Sequence, residues 1–418
     1  MVFFTGALYY GEIILTPHLE AVDMLIHFFA QNFRSLNNIN FSMETGERLQ
    51  QREDTNTFAH ATPSVLKSIM FFGANGAGKT NIIDALRTMQ QIITHPLAQA
   101  ANFSTTYTPF LFGTEMTDKP TTFSLSFVAQ NVAYFYDLAY TRERITSESL
   151  SAQINGTNVL YFVRELDRFA NVPNSLKSVA AVTRPNELFL HRAYTAGDRH
   201  AANVVQWFAN DLIFFTPTAE LSKSMLTLLE DPQAKAKVRS FLQAADIKVQ
   251  DLVVYKLENG ERRLSVSHNI YAPSGSVAGM RPIPFSAESK GTQKMIMMAL
   301  TVLTAQQARD RKVIVFDGFS DFLHEEVSGA LLRLFNSAEN RNQFILTTHT
   351  LSLLNAELRA DQIFFVEKDF QGESQVYSLF DIKDVPNTQG FDRISNLYKF
   401  GTFGAIPDID RDQMRQIL

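Results

Sequence analysis

The sequence predicts an α/β protein in which a β-rich, then helical, middle region is inserted between two parts of one sheet. Three observations predict this fold: an apolar run before a glycine cluster near residue 73, short β-rich runs between residues 120 and 170, and helices alternating with strands after residue 285. The 418 residues suit two or three domains, or one large domain with an insertion. A hydrophobic content of 45% is enough to build a sizeable core, which argues against a largely disordered chain.

The N-terminal part is predicted to contain a β-hairpin, a loop and a strand that leads into a helix. Met24–Phe33 has the pattern of a strand, and Ile39–Met43 has that of its hairpin partner. Residues 46–62 are polar and irregular, which indicates a loop, and Val65–Phe72 is a short apolar strand. An amphipathic helix is predicted next, because its apolar residues recur at helical spacing: Ile82, Ile83, Leu86, Met89 and Ile93.

The middle of the chain changes from strands to helices, and the C-terminal part alternates the two. Runs between residues 120 and 170 predict an antiparallel sheet, and residues 173–245 have mostly helical spacing. Asp251–Lys256 and Arg262–Val266 predict a hairpin around Asn259-Gly260. Parallel strands between helices are predicted by the order of the remaining segments: Gly291–Ala308, Val313–Phe316, Glu325–Phe335, Phe344–Thr347 and Ile363–Glu367.

Composition and charge exclude several classes of site and partner. With 38 Lys and Arg against 43 Asp and Glu, the net charge is −5, so nucleic-acid binding would need a local basic patch, and no strong Lys/Arg cluster supports one. The chain has no cysteine, which excludes disulfides, iron–sulfur clusters, thiolate zinc sites and cysteine nucleophiles. The most apolar runs, such as Met295–Leu303, are shorter than the roughly 18–20 residues of a membrane span. Because the N-terminus also lacks a basic n-region, we expect a cytoplasmic protein without a membrane segment.

Eight consecutive residues match the phosphate-binding loop G-x-x-x-x-G-K-[ST] at every fixed position: Gly73, Ala74, Asn75, Gly76, Ala77, Gly78, Lys79 and Thr80. Glycines allow successive backbone N–H groups to surround a phosphate, and the N-terminus of the following helix adds a favourable dipole. Lys79 is predicted to reach the β- and γ-phosphate oxygens, and the Thr80 hydroxyl is predicted to bind Mg²⁺. The apolar strand before the loop and the amphipathic helix after it supply the required context. The sequence therefore predicts a nucleotide site.

A second candidate site residue follows a buried strand in the C-terminal part. Val313–Phe316 is a run of four apolar residues, and Asp317 comes directly after it. Proteins with a phosphate-binding loop hold Mg²⁺ partly through an aspartate that such a strand delivers. The sequence therefore predicts that Asp317 lies beside Thr80 at the metal position.

Four segments together carry a family resemblance. In chain order they are Gly73–Thr80, Ser289–Gln293, Val313–Asp317 with Leu323-His324 after it, and Leu346–His349. Their order resembles that of ABC-type ATPases, and most of all the SMC/RecF/OLD-like branch with its stand-alone ATP-binding proteins of phage-defence and abortive-infection systems (AbiLi-like). Three further segments are similar to the opening and the end of this family, so the resemblance covers about residues 24–407: Met24–Ser35, Asp361–Lys368 and Phe400–Pro407.

The resemblance implies a P-loop NTPase of the ABC-ATPase type that binds ATP with Mg²⁺ as a dimer, in which two protomers enclose two ATP molecules. Ser289 and Gly291 would then contact the γ-phosphate of the ATP bound to the partner, through a hydroxyl and a helix N-terminus. His349 would act with Asp317 in catalysis, as a histidine that hydrogen-bonds the γ-phosphate or the attacking water. Arg34 would lie near the nucleotide. A glutamine that assists Mg²⁺ is also implied, and the sequence does not locate it.

The resemblance further implies a glutamate directly after Asp317, as general base for the attacking water. The next residue is Gly318, which cannot accept a proton. Asp321 and Glu325 lie nearby in the sequence and are alternative bases. Because the loss of a positioned base slows a reaction by about 10²–10⁴-fold, we expect weak or undetectable hydrolysis. On the same reasoning, Gly318→Glu is expected to raise the rate.

The chain is predicted to divide into four parts. They are an N-terminal extension at 1–23, the first part of the ATPase domain with the phosphate-binding loop at 24–115, an inserted lid or arm at 116–280, and the rest of the ATPase domain at 281–418. The extension is predicted because members of the family usually start near Met24. No acidic nuclease cluster follows the ATPase parts, so nucleic-acid cleavage is expected to need a separate partner.

The resulting hypothesis is an ATP-dependent homodimer that acts as a switch or sensor for a separately encoded effector, such as a nuclease or a toxin, in anti-phage defence. Two alternatives stay open: a DNA-engaging ATPase of the repair and recombination type, and a structural module that binds ATP without turning it over. A basic groove would favour the first alternative, and Gly318 favours the second. A P-loop kinase is more remote, because it does not explain Ser289–Gln293 or the segment that ends at His349.

Overall fold

The computed structural model describes residues 23–46, 49–59, 61, 63–95, 103–154, 156–216, 221–308, 311–382, 392–407 and 409–417. Apart from Asp23, the predicted extension at 1–23 lies outside these residues. In the described ranges the strands form two large sheets and two small ones. None of the helices in these ranges is long and apolar enough to cross a membrane.

The helices and strands are numbered in chain order. The strands are β1 (Met24–Phe33), β2 (Leu36–Ser42), β3 (Thr57–Phe58), β4 (Val65–Leu66), β5 (Ser68–Phe72), β6 (Thr121–Ala129), β7 (Val132–Tyr140), β8 (Ile145–Ile154), β9 (Thr157–Glu165), β10 (Arg168–Ala170), β11 (Leu212–Phe215), β12 (Asp251–Lys256), β13 (Arg262–Tyr271), β14 (Val277–Pro284), β15 (Val313–Phe316), β16 (Gln343–Thr348), β17 (Ile363–Lys368) and β18 (Ser374–Ser378). The helices are α1 (Glu53–Asn56), α2 (Lys79–Thr94), α3 (Lys177–Ala181), α4 (Phe189–Thr195), α5 (Arg199–Asn210), α6 (Lys223–Glu230), α7 (Pro232–Ala244), α8 (Lys290–Gln307), α9 (Glu325–Phe335), α10 (Asp392–Lys399) and α11 (Arg411–Ile417).

The first large sheet is antiparallel and joins the N-terminal hairpin to the β-rich run of the middle region. Its seven strands lie in the order β10-β9-β8-β7-β6-β1-β2. In the register of β1, Phe28 faces Phe41 of β2 on one side and Leu125 of β6 on the other, and all three side chains are buried. Because apolar residues alternate along these strands, one face of the sheet packs on the core. The strands on either side of residue 116 thus belong to one sheet.

The second large sheet carries the site and is parallel except at one edge. Its six strands lie in the order β11-β15-β16-β5-β17-β18, and β18 alone runs antiparallel to its neighbour. β5 and β15 are buried along their whole length, as expected for parallel strands that are covered on both faces. β11 comes from the middle region and pairs with β15, so all three predicted parts from residue 24 onward contribute to this sheet. The boundaries proposed at residues 115/116 and 280/281 stay predictions.

Two apolar clusters fill the space on the two faces of the parallel sheet. On one face, Val315 of β15 packs in a cluster with Ile83 of α2 and Phe28 of β1. On the other face, Phe316 belongs to a cluster with Met295 of α8 and with α9. Because successive side chains of a strand point to opposite faces, Val315 and Phe316 of the same short strand pack in the two different clusters. Asp317 follows at the carboxyl end of this strand.

The predicted fold class is confirmed, and the differences lie in local elements that tertiary contacts create. Residues 46–62, predicted as a loop, include α1 and β3, because the Asn56 amide donates to Glu357 O (2.9 Å) and to Gln362 Oε1 (2.7 Å). The single strand predicted at Val65–Phe72 is two strands, β4 and β5, that break at Lys67. The predicted hairpin of β12 and β13 is present, and β14 adds a third strand beside it.

Candidate nucleotide-binding site

The phosphate-binding loop joins β5 to α2, and the backbone requires its glycines. Gly76 and Gly78 have positive φ angles of 80° and 113°, a conformation that favours a residue without a Cβ. Gly73 is required by close packing, since a Cβ there would lie 3.2 Å from the carbonyl carbon of Val366 in β17 and closer still to its oxygen. α2 begins at Lys79, so the helix N-terminus, whose first N–H groups have no partner inside the helix, opens onto the loop.

Hydroxyl groups support the back of the loop. Ser374 Oγ in β18 donates to the carbonyl of Ala77 (2.7 Å) and lies 2.7 Å from Ser35 Oγ. Asn81 Nδ2 donates to the same Ser35 Oγ (2.7 Å). A Cβ at Gly78 would lie 2.9 Å from Ser374 Cβ, so only glycine fits there without a shift. Contacts with residues far away in the sequence therefore hold the loop in shape.

The Lys79 ammonium folds onto the loop. Its Nζ donates to the carbonyls of Gly73 (2.7 Å) and Ala74 (2.8 Å). Burial lowers the pKa of Lys79, and the carboxylates of Asp317 and Asp321 oppose this shift. A phosphate chain would offer this cation a charged acceptor in place of two neutral carbonyls, which makes a stronger hydrogen bond.

Asp317 directly follows β15 and lies beside Thr80, as the sequence predicts. Its Oδ2 accepts a hydrogen bond from Thr80 Oγ1 (2.9 Å), and its Oδ1 accepts one from Thr347 Oγ1 at the end of β16 (2.6 Å). A hydroxyl and a carboxylate oxygen are ligands that Mg²⁺ takes together with phosphate oxygens and water, so this pair fits the ion. In the ranges that the structure describes, no group of three or more His, Cys, Asp or Glu side chains could hold a metal by itself. The ion would therefore depend on the nucleotide.

Asp321 occupies the space where a side chain at residue 318 would begin. Gly318 has a φ of 64°, and a Cβ there would lie 2.8 Å from Asp321 Cγ and closer still to Asp321 Oδ2. Asp321 Oδ1 is buried without a hydrogen bond to any described residue, and it lies 3.7 Å from His349 Nδ1. Glu325, the other alternative base, is exposed in the first turn of α9 and does not line the cavity. A carboxylate is thus present beside Gly318, and it belongs to Asp321.

These groups line an open cavity of about 380 Å³. Predicted site residues in its lining are Asn75, Gly76, Gly78, Lys79, Thr80, Asp317 and His349. Residues that the sequence analysis did not assign also line it: Asn81, Thr347, Thr348 and Lys368. Thr347, Thr348 and Lys368 lie at the carboxyl ends of β16 and β17, where parallel sheets place their ligand sites, and this position is the signal that could have found them. Among the described lining residues there is no glutamine, so the implied Mg²⁺-assisting residue has no counterpart here.

Ser289 and Gly291 lie at the start of α8 and do not belong to this lining. Ser289 caps the helix, since its Oγ accepts a hydrogen bond from the backbone N–H of Thr292 (3.1 Å). A Cβ at Gly291 would lie 2.7 Å from the carbonyl oxygen of Phe322, so the first turn of α8 packs directly on the turn after β15. Within one chain, Gly291 therefore contacts the turn that carries Asp321, and neither residue lines the cavity at the phosphate-binding loop.

Lys294, further along α8, is a buried cation that the sequence analysis did not single out. It is 2% exposed, and its Nζ donates to the carbonyls of Gly318 (2.6 Å) and Asp321 (2.9 Å). Burial lowers the pKa of Lys294 to about 8, while the carboxylates of Asp321 and Asp317 oppose the shift. Lys294 thus connects α8 to the turn after β15.

Arg34 lies beside α2 and not in the lining of the cavity. It forms an ion pair with Asp84, and its Nη1 lies 3.4 Å from Asn81 Oδ1. The guanidinium also lies over the ring of Phe33, 5.2 Å from its centroid. Contact with Asn81, which does line the cavity, is the link between Arg34 and the site, and a role at the nucleotide stays a prediction.

A family model described as "AAA domain, putative AbiEii toxin, Type IV TA system" matches residues 68–355, about two thirds of the chain. The chain belongs to this family. The match runs from the start of β5 past His349, and it includes the phosphate-binding loop, α8 and Asp317. This AAA-domain protein is therefore an ATPase of the AAA/ABC type, as the resemblance predicts, and the AbiLi-like subgroup stays a prediction. No curated protein matches the chain.

Three of the solved structures with similar folds are two SMC heads and a RecF protein. One is the SMC head bound to the C-winged helix domain of ScpA, with 13% identity, a TM-score of 0.42, and coverage of 85% of this chain and 97% of that one. The SMC head domain from Thermotoga maritima has 15% identity and a TM-score of 0.39, over 85% and 98% of the two chains. RecF bound to ATPγS, from the RecFOR pathway, has 8% identity and a TM-score of 0.41, over 86% and 99%. The assignment of the chain rests on the family match and on the site, not on these likenesses.

Proposed function

We propose that this protein is a homodimeric switch that hydrolyses ATP slowly, with Asp321 as general base, and that controls a separately encoded effector in anti-phage defence. The observation that carries the proposal is the Asp321 carboxylate beside Gly318, in the cavity that also contains Lys79 and Thr80. This cavity combines a phosphate-binding loop, two Mg²⁺ ligands and a proton acceptor. Those are the parts that phosphoryl transfer to water requires.

The proposed chemistry is in-line attack of a water molecule on the γ-phosphorus of ATP. The Asp321 carboxylate accepts a proton from the water, the new O–P bond forms, and the bond from the γ-phosphorus to the β–γ bridging oxygen breaks to release ADP and phosphate. Lys79 stabilises the charge on the phosphate oxygens, and Mg²⁺ held by Thr80 and Asp317 would neutralise more of it. His349 lies close enough to Asp321 to share the same water.

We propose slow turnover in a single protomer because its cavity is open to solvent. Asp321 and His349 have side chains that are 41% and 55% exposed. Exclusion of water strengthens every electrostatic contact in a site, so a partner that covers this cavity would raise the rate. Ser289 and Gly291, which do not reach their own cavity, are the residues that we propose the partner contributes.

The proposed function includes a role in anti-phage defence. The family description names a putative toxin of a type IV toxin–antitoxin system, and such systems consist of two components. We propose that this chain is the ATP-dependent component and that it acts in the cytoplasm. Closure of the dimer on ATP activates the effector that is encoded beside it.

Asp321→Asn tests the proposed chemistry. The amide keeps the shape of the carboxylate but cannot accept a proton, so phosphate release at saturating Mg·ATP should fall by at least about 10²-fold, while calorimetry with Mg·ATPγS shows unchanged affinity. Glu325→Gln is the matched control, since it removes a nearby carboxylate outside the cavity and should leave the rate unchanged. A wild-type rate in Asp321→Asn would exclude Asp321 as the base. Wild-type protein that releases no phosphate would instead support the ATP-bound structural module.

The effector is tested by phage challenge of cells that carry this gene with its neighbouring reading frame. Protection should require both genes and should be lost with Lys79→Ala, which removes the main phosphate-binding cation. Equal protection by Lys79→Ala would show that nucleotide binding does not control the effector.

A further inference from the structure

The first two turns of α8 are joined to the turn after β15 at two places. Near the helix start, Gly291 packs against the carbonyl of Phe322 so closely that a Cβ would lie 2.7 Å from its oxygen. Further along, Lys294 Nζ donates to the carbonyls of Gly318 and Asp321 at 2.6 and 2.9 Å. The start of α8 and the turn that carries Asp321 are therefore expected to move as one unit.

Lys294 is an unusual residue for a purely structural contact. It is 2% exposed, and a buried ammonium is costly unless it is hydrogen-bonded and lies near negative charge. The two carbonyls supply the hydrogen bonds, and the carboxylates of Asp321 and Asp317 supply the charge. An apolar residue would fill the same space without the desolvation penalty, so the charge points to a role in the site.

We propose that Lys294 is the positioning residue that holds Asp321 at the nucleotide and thereby connects the Ser289 end of α8 to the chain's own site. The two hydrogen bonds fix the carbonyls at both ends of the 318–321 turn, and the direction of the Asp321 side chain depends on that turn. Ser289 caps the same helix, so a contact of Ser289 with the partner's nucleotide would be transmitted to Asp321 through this link. This inference rests on the proposed function.

The test is a double-mutant cycle on kcat for ATP hydrolysis, with Lys294→Met, Asp321→Asn and the pair. Met keeps the length of the side chain without its donors. We expect Lys294→Met to lower kcat by about 10²-fold, the effect of a misplacement of roughly 1 Å, and to leave the affinity for Mg·ATPγS within about threefold. In the Asp321→Asn background the same change should lower kcat no further, because Lys294 acts through Asp321.

Each outcome decides between a positioning role and the alternatives. A wild-type kcat in Lys294→Met would overturn this inference alone, and a lack of turnover in the wild type would overturn it together with the proposed function. A further large loss of kcat in the double variant, or a loss of nucleotide affinity, would show a general structural role and would also overturn it. If Lys294→Met does not fold, Lys294→Arg, which keeps the charge but moves the donors, takes its place in the same cycle with the same expectations.

Discussion

The substitution Gly318→Ala tests whether ATP hydrolysis depends on the position of the Asp321 carboxylate. Gly318 has a φ of 64°, and its missing Cβ would lie 2.8 Å from Asp321 Cγ and nearer still to Oδ2. An alanine therefore has to push the Asp321 carboxylate aside by about 1 Å to reach an ordinary van der Waals distance. Lys79, Thr80 and the rest of the phosphate-binding loop are not touched.

Gly318→Ala is expected to lower two quantities, the free energy of unfolding and kcat for ATP hydrolysis. The left-handed backbone conformation destabilises a residue with a Cβ by about 1–2 kcal/mol, which should appear in the free energy of unfolding. The displaced carboxylate should lower kcat by about 10²-fold, because a misplacement of roughly 1 Å of a reacting group has an effect of that order. The affinity for ATP should stay the same, since the residues that bind phosphate keep their contacts.

Gly197→Ala is the matched control for the backbone effect. Gly197 has a φ of 83°, and a Cβ there would have no heavy atom within 4 Å, so alanine brings the same conformational strain without a collision. Urea unfolding should give similar losses of stability for the two variants, and a phosphate-release assay should show the loss of kcat only in Gly318→Ala. Wild-type turnover in Gly318→Ala, or an equal loss in both variants, would refute the argument about Asp321. The same geometry revises the sequence-based expectation for Gly318→Glu, which should displace Asp321 and give no increase in rate.

Two further predictions concern the dimer and the pH dependence of stability. Ser289→Asp keeps a good cap on α8 but places a carboxylate where the partner's γ-phosphate is expected, so sedimentation with Mg·ATPγS should show monomers that still bind nucleotide. Ser222→Asp, the same change at the N-cap of α6, should still dimerise, and a dimer in both variants would contradict a dimer in which two protomers enclose the ATP molecules. Burial lowers the pKa of His27 from 6.5 to about 4, so the folded state favours the neutral ring. The free energy of unfolding is therefore unaffected by His27 above pH 6.5. It falls by at most about 3 kcal/mol as the pH is lowered from 6.5 towards 4, because only the unfolded chain binds the proton readily in that range. His27→Gln should flatten the curve of unfolding free energy against pH in that window, and an unchanged curve would assign the pH dependence to other groups.

The sequence by itself determined the parts of the site that depend on local backbone geometry. Gly73–Thr80 was predictable as the phosphate-binding loop because its glycines, its lysine and its helix start are consecutive in the chain. Asp317 was predictable for the same reason, since the buried apolar strand that positions it comes immediately before it. The alternation of helix and strand in the C-terminal part likewise predicted a parallel sheet without reference to any distant contact.

Only the tertiary structure decided which distant residues complete the site. The sequence left both Asp321 and Glu325 open as bases, with Asp321 the first to test, and the turn after β15 brings Asp321 to Gly318 while Glu325 stays exposed on α9. Lys294 could not be singled out, because its two acceptors are backbone carbonyls, which any sequence supplies and only the packing of α8 brings within reach. The pairing of β1 with β6 joins elements that the sequence assigned to different parts of the chain. Hydrogen bonds between strands carry no sequence signature, so contacts of this kind become visible only when the chain is folded.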